Sequence, residues 1–459
     1  MAVVTDKDES LTYQQLAEEV EKYAAAMPQK GFVFTLCENL LGSVVGYVAC
    51  VNKGIPQVLL DGSKDLELVL NLVKIYQPEY IWMPTERVSE VSGGFNGFQV
   101  VYSAYSYSLV KTGFETREVN EELAVCLTTS GSTGSPKLVR LSEKNLMANA
   151  ESIAEYLSID ETERPVTVLP MYYSYGLSII NSHLIKGATI LLTDKAVMQK
   201  EFWSFMKEQK ATSFAGVPYT YEMLKRLRIF RMDLPDLRYM TQAGGKLNKD
   251  IAKEYIEYAR EKGKKFFVMY GQTEATARMS YLPWEKALEK YASIGIAIPG
   301  GRFSLIDTDG TEISEAGKDG ELVYHGDNVS LGYAECREDL LKGDENHGAL
   351  KTGDVAQKDE DGYYYITGRM KRFVKVWGNR CNLDATEQLC KAITTNVACG
   401  GVDDKITVFV TEEGLDDQIK ALLVEKTGFN PRAFAVKVIP EIPVKTSGKI
   451  DYPALQKML

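Results

Sequence analysis

The sequence predicts an α/β protein with mostly parallel sheets in its N-terminal part and a small α+β domain at its C-terminus. Three observations lead there. Short apolar runs of strand length alternate with amphipathic helical stripes through most of the first part of the chain, the pattern of parallel strands joined by helical crossovers. From Ile294 onward short strands separated by Gly and Asp turns take over, as in an antiparallel sheet or a small barrel. Near Gly368 the chain turns basic, with Arg369, Lys371, Arg372 and Lys375, and a compact tail follows. The expected domains are therefore 1–368 and 369–459. At 459 residues the chain also exceeds what one hydrophobic core usually serves.

Residues 12–27 read as the first helix, because Leu16, Val20, Tyr23 and Met27 share a face and Thr12 with Gln15 makes a capping box. A second helix follows Ser63, with Leu66, Val69, Leu70 and Val73 on one stripe. A third starts at Ser142 and carries Leu146, Ile153 and Leu157 inward. Between them, 57–60, 80–83, 124–127, 166–169, 189–192 and 266–269 are apolar runs of strand length. Later strands are expected at 303–306, 321–324 and 363–366. Residues 166–185 carry no Asp, Glu, Lys or Arg, but Pro170, Asn181, His183 and three tyrosines make this a buried strand, loop and helix rather than a membrane span.

Composition narrows the function. Hydrophobic residues make up 45% and charged residues 25%, and the net charge is −10, so a general binder of nucleic-acid backbone is not expected. No two of the seven cysteines stand in C-x-x-C spacing, which favours reduced thiols and a cytoplasmic protein over a disulfide framework. His183, His325 and His347 share no metal-ligand spacing. The first ten residues are polar and acidic, without the apolar stretch of an export signal. No G-x-G-x-x-G for a Rossmann oxidoreductase and no G-x-S-x-G for a serine hydrolase is present.

Four motifs carry chemistry. TTSGSTGSPK (128–137) follows a strand-like run; its small hydroxylated residues and glycines can present N–H groups and hydroxyls to phosphate oxygens, and Lys137 adds a cation. Alone it is also compatible with a flexible Ser/Gly surface loop. YGQTE (270–274) follows the strand 266–269, where open α/β sheets bind ligands. There Tyr270 could stack on a base, Thr273 bond a phosphate and Glu274 hold Mg²⁺. KTGD (351–354) places Asp354 after a glycine turn, either as a ribose-hydroxyl acceptor or as a simple hairpin turn. PVKTSGK (443–449) offers Lys449, in isolation an ordinary turn lysine.

In their order and separation these motifs resemble the ANL superfamily of adenylate-forming enzymes: acyl- and aryl-CoA synthetases, peptide-synthetase adenylation domains and luciferases. The resemblance covers nearly the whole chain, including LTYQQLAEEV (11–20), KGIPQVLLD (53–61), VPYTYEML (217–224), AGGKL (243–247), IGIAIPGG (294–301) and GELVYHGDNVSLGY (320–333). It implies two mostly parallel sheets flanked by helices and a small β-barrel-like subdomain in 1–368, with 369–459 as a mobile lid.

It also implies an activity: ATP and Mg²⁺ convert a small carboxylic acid into an acyl-adenylate, and the acyl group passes to CoA or to the phosphopantetheine of an acyl carrier protein. Transfer to an amine such as an amino sugar or amino acid is the alternative, and a silent nucleotide-binding protein a remoter one. Residue by residue, the resemblance puts Thr129, Ser130, Gly131, Ser132, Thr133, Gly134 and Lys137 around the β- and γ-phosphates and Thr273 on the α-phosphate. Glu274 would bind Mg²⁺, with Gly271 and Gln272 beside it. The adenine would lie between Gly244–Gly245 and Tyr270, and Asp354 assisted by Arg369 would hold the ribose. Lys449 would bridge the attacking carboxylate and the α-phosphate. Lys371 would be the hinge, and Lys375 and Gly378 would face the acceptor. Tyr173, Tyr175, Gly176 and Gly216 would line an apolar, aromatic acid pocket. Tyr173 stands where many CoA-forming members have histidine, and the MYYSYGLS segment lacks the Asp that pairs with an amino-acid ammonium, so amino acids are disfavoured substrates.

Overall fold

The computed structural model of the chain describes all residues except 28–29, 64–65, 93–96, 129–136, 378 and 445–449. Thr129, Ser130, Gly131, Ser132, Thr133, Gly134, Gly378 and Lys449 therefore lie outside the described residues. The chain forms two compact units, Met1–Arg302 with Tyr324–Leu350, and Phe303–Val323 with Lys351–Leu459.

Among the described residues the first unit holds two large sheets. One runs Ile296–Ala297, Ser280–Tyr281, Lys265–Tyr270, Tyr239–Gln242, Ser213–Gly216, Pro165–Val166, Ile190–Leu192, Val3–Thr5 and Ser10–Leu11. Its centre, from Lys265–Tyr270 to Val3–Thr5, is parallel, and antiparallel strands close both edges. The other has Leu123–Thr128, Gln57–Asp61, Val33–Cys37 and Tyr80–Pro84 as a parallel centre, again edged by antiparallel strands. The helix Leu41–Asn52 is apolar nearly all round. It packs with Ser174–Leu184 in one core reached by strands of both sheets, through Val44, Val45, Leu177, Ile180, Val125, Leu127, Ile190 and Leu192.

The local signals that the sequence offered act as expected. Thr12 caps the helix Tyr13–Ala25 by accepting from the Gln15 amide at 3.1 Å, while Gln15 Oε1 accepts from the Thr12 amide at 2.9 Å. Ser142 caps Glu143–Leu157 in the same reciprocal way with Asn145. The run 166–169 keeps only Pro165–Val166 in the ladder; Thr167 still reaches Leu191 O at 2.9 Å before the chain turns at Pro170 towards the helix Ser174–Leu184. No helix among the described residues is long and apolar enough to cross a membrane.

A buried polar network ties the 335–340 segment to the second sheet. Arg337 and Glu79 are both 3% exposed at the side chain and pair at 2.9 Å. Arg337 also donates to Tyr76 O and Arg117 O, while Glu79 accepts from the amides of Phe32 at 2.6 Å and Arg117 at 3.1 Å. Removing one partner strands the other charge. Arg337→Met is expected to destabilise the chain by about 3–5 kcal/mol, read as a lower urea midpoint, and adding Glu79→Gln should recover part of that loss.

The second unit contains most of a four-stranded sheet of Arg302–Ile306, Gly320–His325, Ala349–Lys358 and Tyr364–Arg369, the hairpin Phe373–Val376/Asn379–Asn382, and a sheet of Val397–Val402, Lys405–Val410 and Phe434–Val438. Helices Leu383–Cys390 and Asp416–Thr427 cover a core that includes Val376, Cys399, Val408, Ile419 and Phe434. Arg372 anchors its centre: it pairs with Asp384 and Glu387, donates to Cys399 O, and lies 3.5 Å from the centre of the Tyr452 ring.

Candidate active site

The strand Lys265–Tyr270 ends in a tight sequence of turns that presents Thr273 and Glu274. Gly271 is required there, because a Cβ would fall 1.8 Å from Ala277 O. After the short 3₁₀ turn Thr273–Ala275, Thr276 has φ 64° and ψ −59°, and Ala277 donates to Ala275 O at 2.7 Å. This is a γ-turn of the rare positive-φ form, strained for a β-branched residue. It is held from outside: the Thr276 hydroxyl donates to Asn328 O at 2.7 Å, Asn328 Nδ2 donates to Ala275 O at 2.9 Å, and Ser330 N–H donates to Glu274 O at 2.9 Å. Strain kept by such bracing is typical of sites where geometry matters.

Two contacts extend the cluster within the first unit. The Thr273 hydroxyl lies 3.2 Å from that of Ser174, at the first turn of the helix Ser174–Leu184, whose N-terminal N–H groups favour negative charge. Glu274 Oε1 accepts from the Tyr333 hydroxyl at 2.9 Å, and Lys137 Nζ lies 3.5 Å from the centre of the Tyr333 ring. Pairing of Leu138–Ser142 with Gly332–Ala334 sets this register, since Tyr333 opposes Val139 and Ala334 opposes Leu138. Burial, then the Glu274 carboxylate, pushes the Tyr333 phenol up, so it stays a neutral donor. Tyr333 closes the run 320–333 quoted from the sequence but had no role assigned there; the strand register brings it here.

Glu274 Oε2 makes no hydrogen bond among the described residues. The described residues offer no group of three or more His, Cys, Asp or Glu for a metal. One free carboxylate oxygen fits Mg²⁺ nonetheless, because Mg²⁺ is commonly held by one or two carboxylates together with substrate phosphates and water. Glu274 would hold the ion, and the ion would supply positive charge to the phosphates of ATP.

Beside the cluster, Gly244 has φ 84°, and a Cβ there would meet Tyr173 Oη at 2.6 Å. Gly244 and Tyr173 are thus neighbours: the glycine lets the Tyr173 hydroxyl lie against the backbone. Burial pushes the Tyr173 phenol up to about 12. Gly245 accepts from Gln242 Nε2 at 2.9 Å, and a Cβ on it would lie 3.2 Å from Pro218. Tyr175 is buried, meets the Tyr173 ring edge-on at 6.3 Å, and shares a 2.8 Å hydrogen bond with Thr241. Tyr270 is half-buried and accepts from Gln272 Nε2 at 3.3 Å. Gly176 and Gly216 show packing needs: a Cβ would come 2.2 Å from Pro170 O and 3.0 Å from Thr220 Cβ, respectively.

Gly244→Ala is expected to destabilise the chain by roughly 1–2 kcal/mol through left-handed backbone strain, plus a steric share from the Tyr173 hydroxyl. Thermal melting checks this. Tyr173→Phe in the same chain should return only the steric share.

In the second unit Asp354 opposes Arg369 across Ala349–Lys358 and Tyr364–Arg369, and Arg369 Nε pairs with its carboxylate at 3.0 Å. Asp354 is buried while the Arg369 side chain is 63% exposed, so the pair presents its charged end outward. The Lys371 backbone lies in the 3₁₀ turn Met370–Arg372. Lys375 is exposed on the hairpin, its N–H donating to Asp403 at 2.9 Å. Flanking residue 449, Val444 bridges Ile450 and Asp451 N–H donates to Pro443 O at 2.8 Å.

Comparison with known proteins agrees with this geometry. A family model described as AMP-binding enzyme matches residues 1–334. An oxalate–CoA ligase of Arabidopsis thaliana is 28% identical over 368 residues, covering 77% of this chain and 70% of that protein. A 2-succinylbenzoate–CoA ligase of Bacillus licheniformis is 28% identical over 416 residues, covering 88% and 84%. The solved O-succinylbenzoate coenzyme A synthetase of Bacillus subtilis, in complex with AMP, shares the fold with TM-score 0.79 at 22% identity over 99% of this chain and 95% of that one. Since the family match spans the turn that carries Thr273 and Glu274 as well as the strand register that brings Lys137 to Tyr333, the chain belongs to the AMP-binding enzymes of the adenylate-forming superfamily.

Proposed function

We propose that the protein is an AMP-forming acid–thiol ligase: it joins a carboxylic acid to ATP as an acyl-adenylate, releases pyrophosphate, and passes the acyl group to the thiol of CoA or of a carrier-protein phosphopantetheine. The observation that carries the reading is the cluster of Lys137, Tyr333, Glu274, Thr273 and Ser174, which gathers a cation, a free carboxylate oxygen, three hydroxyls and a helix N-terminus. Such a set suits a polyphosphate with its metal. Relatives named as CoA ligases and as a D-alanine–D-alanyl carrier protein ligase support a thiol acceptor.

In this reading the carboxylate attacks the α-phosphate, and Thr273 with Lys449 offsets the charge that builds there. Asp354, with Arg369 beside it, holds the ribose. Lys371, at the start of domain 369–459, is the pivot that brings Lys449 in for the first half-reaction and the Lys375–Arg380 face in for the second. The seven cysteines are free thiols, which supports a cytoplasmic setting. An amine acceptor is the second reading, favoured by Tyr173 in place of the histidine of many CoA-forming members.

The test is pyrophosphate release from ATP and Mg²⁺ across aliphatic, hydroxy, aryl and amino acids, with and without CoA or an amine. Release that depends on one class of acid supports adenylation, and acceleration by CoA identifies the thiol. Acceleration by an amine alone favours the second reading. Binding of ATP with no acid-dependent release across the panel overturns both.

A further inference from the structure

Among the described residues four arginines are buried: Arg140, Arg278, Arg337 and Arg372. Three have a carboxylate. Arg140 meets Glu345 at 2.6 Å, Arg337 meets Glu79 at 2.9 Å, and Arg372 meets Asp384 and Glu387. Arg278, 2% exposed, is different. Its Nη1 donates to the Tyr156 hydroxyl at 3.0 Å and to Met269 Sδ at 3.4 Å, and its guanidinium carbon lies 5.0 Å from the centre of the Tyr175 ring. Nε is buried without a partner, and Nη2 has no hydrogen bond among the described residues. Among the described residues no carboxylate pairs with it. Burial raises the phenols of Tyr156, Tyr175 and Tyr239, so the tyrosines supply no negative charge.

An arginine does not shed its proton, and a buried unpaired cation is strongly disfavoured. The open edge is informative: Nε and Nη2 together form the flat fork that takes both oxygens of a carboxylate. The backbone beneath is fixed, because Arg278 O accepts from Asn149 Nδ2 at 2.9 Å and from Asn328 Nδ2 at 3.1 Å. Arg278 also borders a cavity of about 10 Å³, which His183, Phe214, Tyr239 and Thr241 line. That is room for about one water.

The position relates this cation to the reaction centre. Tyr175, whose ring covers the guanidinium, follows Ser174, whose hydroxyl is 3.2 Å from Thr273. Arg278 itself ends the braced turn that begins at Thr273. A molecule with its reacting end at Thr273 and its other end behind the Tyr175 ring would bring that far end to the open fork.

Resting on the adenylation reading above, we propose that the acid activated here is a dicarboxylic acid whose second, unreacting carboxylate is held by Arg278. The present cavity is smaller than a carboxylate, so binding swings the Tyr175 ring off the guanidinium and frees its hydroxyl from Thr241. The pairing explains why a cation is kept in a pocket that no Asp or Glu lines. It also makes an acid with an apolar far end a poor substrate, because that end would leave the fork unpaired.

The test is acid-dependent ATP–pyrophosphate exchange by the full chain, with succinate, glutarate and phthalate set against butyrate, valerate and benzoate. Arg278→Met and Arg278→Lys are assayed alongside, with ATP affinity and thermal melting to follow folding. Wild type is expected to favour at least one dicarboxylate over its matched monocarboxylate by about 10²–10³-fold in kcat/KM. Arg278→Met should erase that ratio while ATP affinity stays within a few-fold, and Arg278→Lys should keep part of it. A wild-type preference for monocarboxylates, or a ratio unchanged in Arg278→Met, overturns the role of Arg278 and leaves adenylation standing. Exchange with none of the acids while ATP binds overturns the adenylation reading and this assignment together. Should Arg278→Met fail to fold, the wild-type ratio alone decides.

Discussion

Lys449→Ala is expected to slow acid-dependent pyrophosphate exchange by about 10²–10³-fold or more, while transfer from separately supplied acyl-adenylate to the thiol changes little. The reason is electrostatic. A carboxylate must approach an α-phosphate that is itself negative, and a cation bridging the two oxygens offsets both their repulsion and the charge of the pentavalent transition state. On either side of this position, Val444 is bridged to Ile450, Asp451 N–H donates to Pro443 O, and the Tyr452 ring lies against Arg372. Loss of the Lys449 side chain should therefore leave the second unit folded, which thermal melting checks. Equal loss in both half-reactions would assign the lysine to architecture instead of adenylation.

Glu274→Gln is expected to reduce pyrophosphate release by about 10²–10³-fold and to raise the Mg²⁺ concentration needed for half-maximal rate. The substitution is nearly isosteric, and the amide oxygen can still accept from the Tyr333 hydroxyl as Oε1 now does at 2.9 Å. What it removes is the negative charge at Oε2. Tyr333→Phe makes the complementary test: the ring stays under Lys137 and only the hydrogen bond to Glu274 is lost, so a few-fold change is expected. An unchanged Mg²⁺ requirement in Glu274→Gln would remove Glu274 from the metal and leave it as a hydrogen-bond acceptor for Tyr333.

Much of the first unit was legible because its signals are local. The Thr12–Gln15 box and the Ser142 cap act within one helical turn, and runs such as 57–60 and 80–83 need only their own apolar residues to become strands. The short run at 166–169 was harder. Its ladder ends after Val166, because the chain must leave the sheet at Pro170 to start a helix whose Gly176 packs on Pro170 O. Strands Val33–Cys37, Ser213–Gly216 and Tyr239–Gln242 were not singled out in the sequence; they are as buried as the runs that were, but Thr35, Ser213, Thr241 and Gln242 break up their apolar stretches.

For the candidate site, the sequence by itself determined the chemical inventory: a glycine- and hydroxyl-rich segment ending in Lys137, the Tyr270–Glu274 turn after a strand, Asp354 after its glycine, and Lys449 near the end. Those are properties of short segments, set by which residues can bend, donate or carry charge. Only the tertiary structure decided what meets what. Tyr333 joins Lys137 to Glu274 through an antiparallel register, Gly244 meets the Tyr173 hydroxyl through the packing of a helix end on a strand end, and Arg278 is left with an open fork in the core. Burial and pairing depend on residues far apart along the chain, and an arginine in sequence carries no mark of whether a carboxylate will fold beside it.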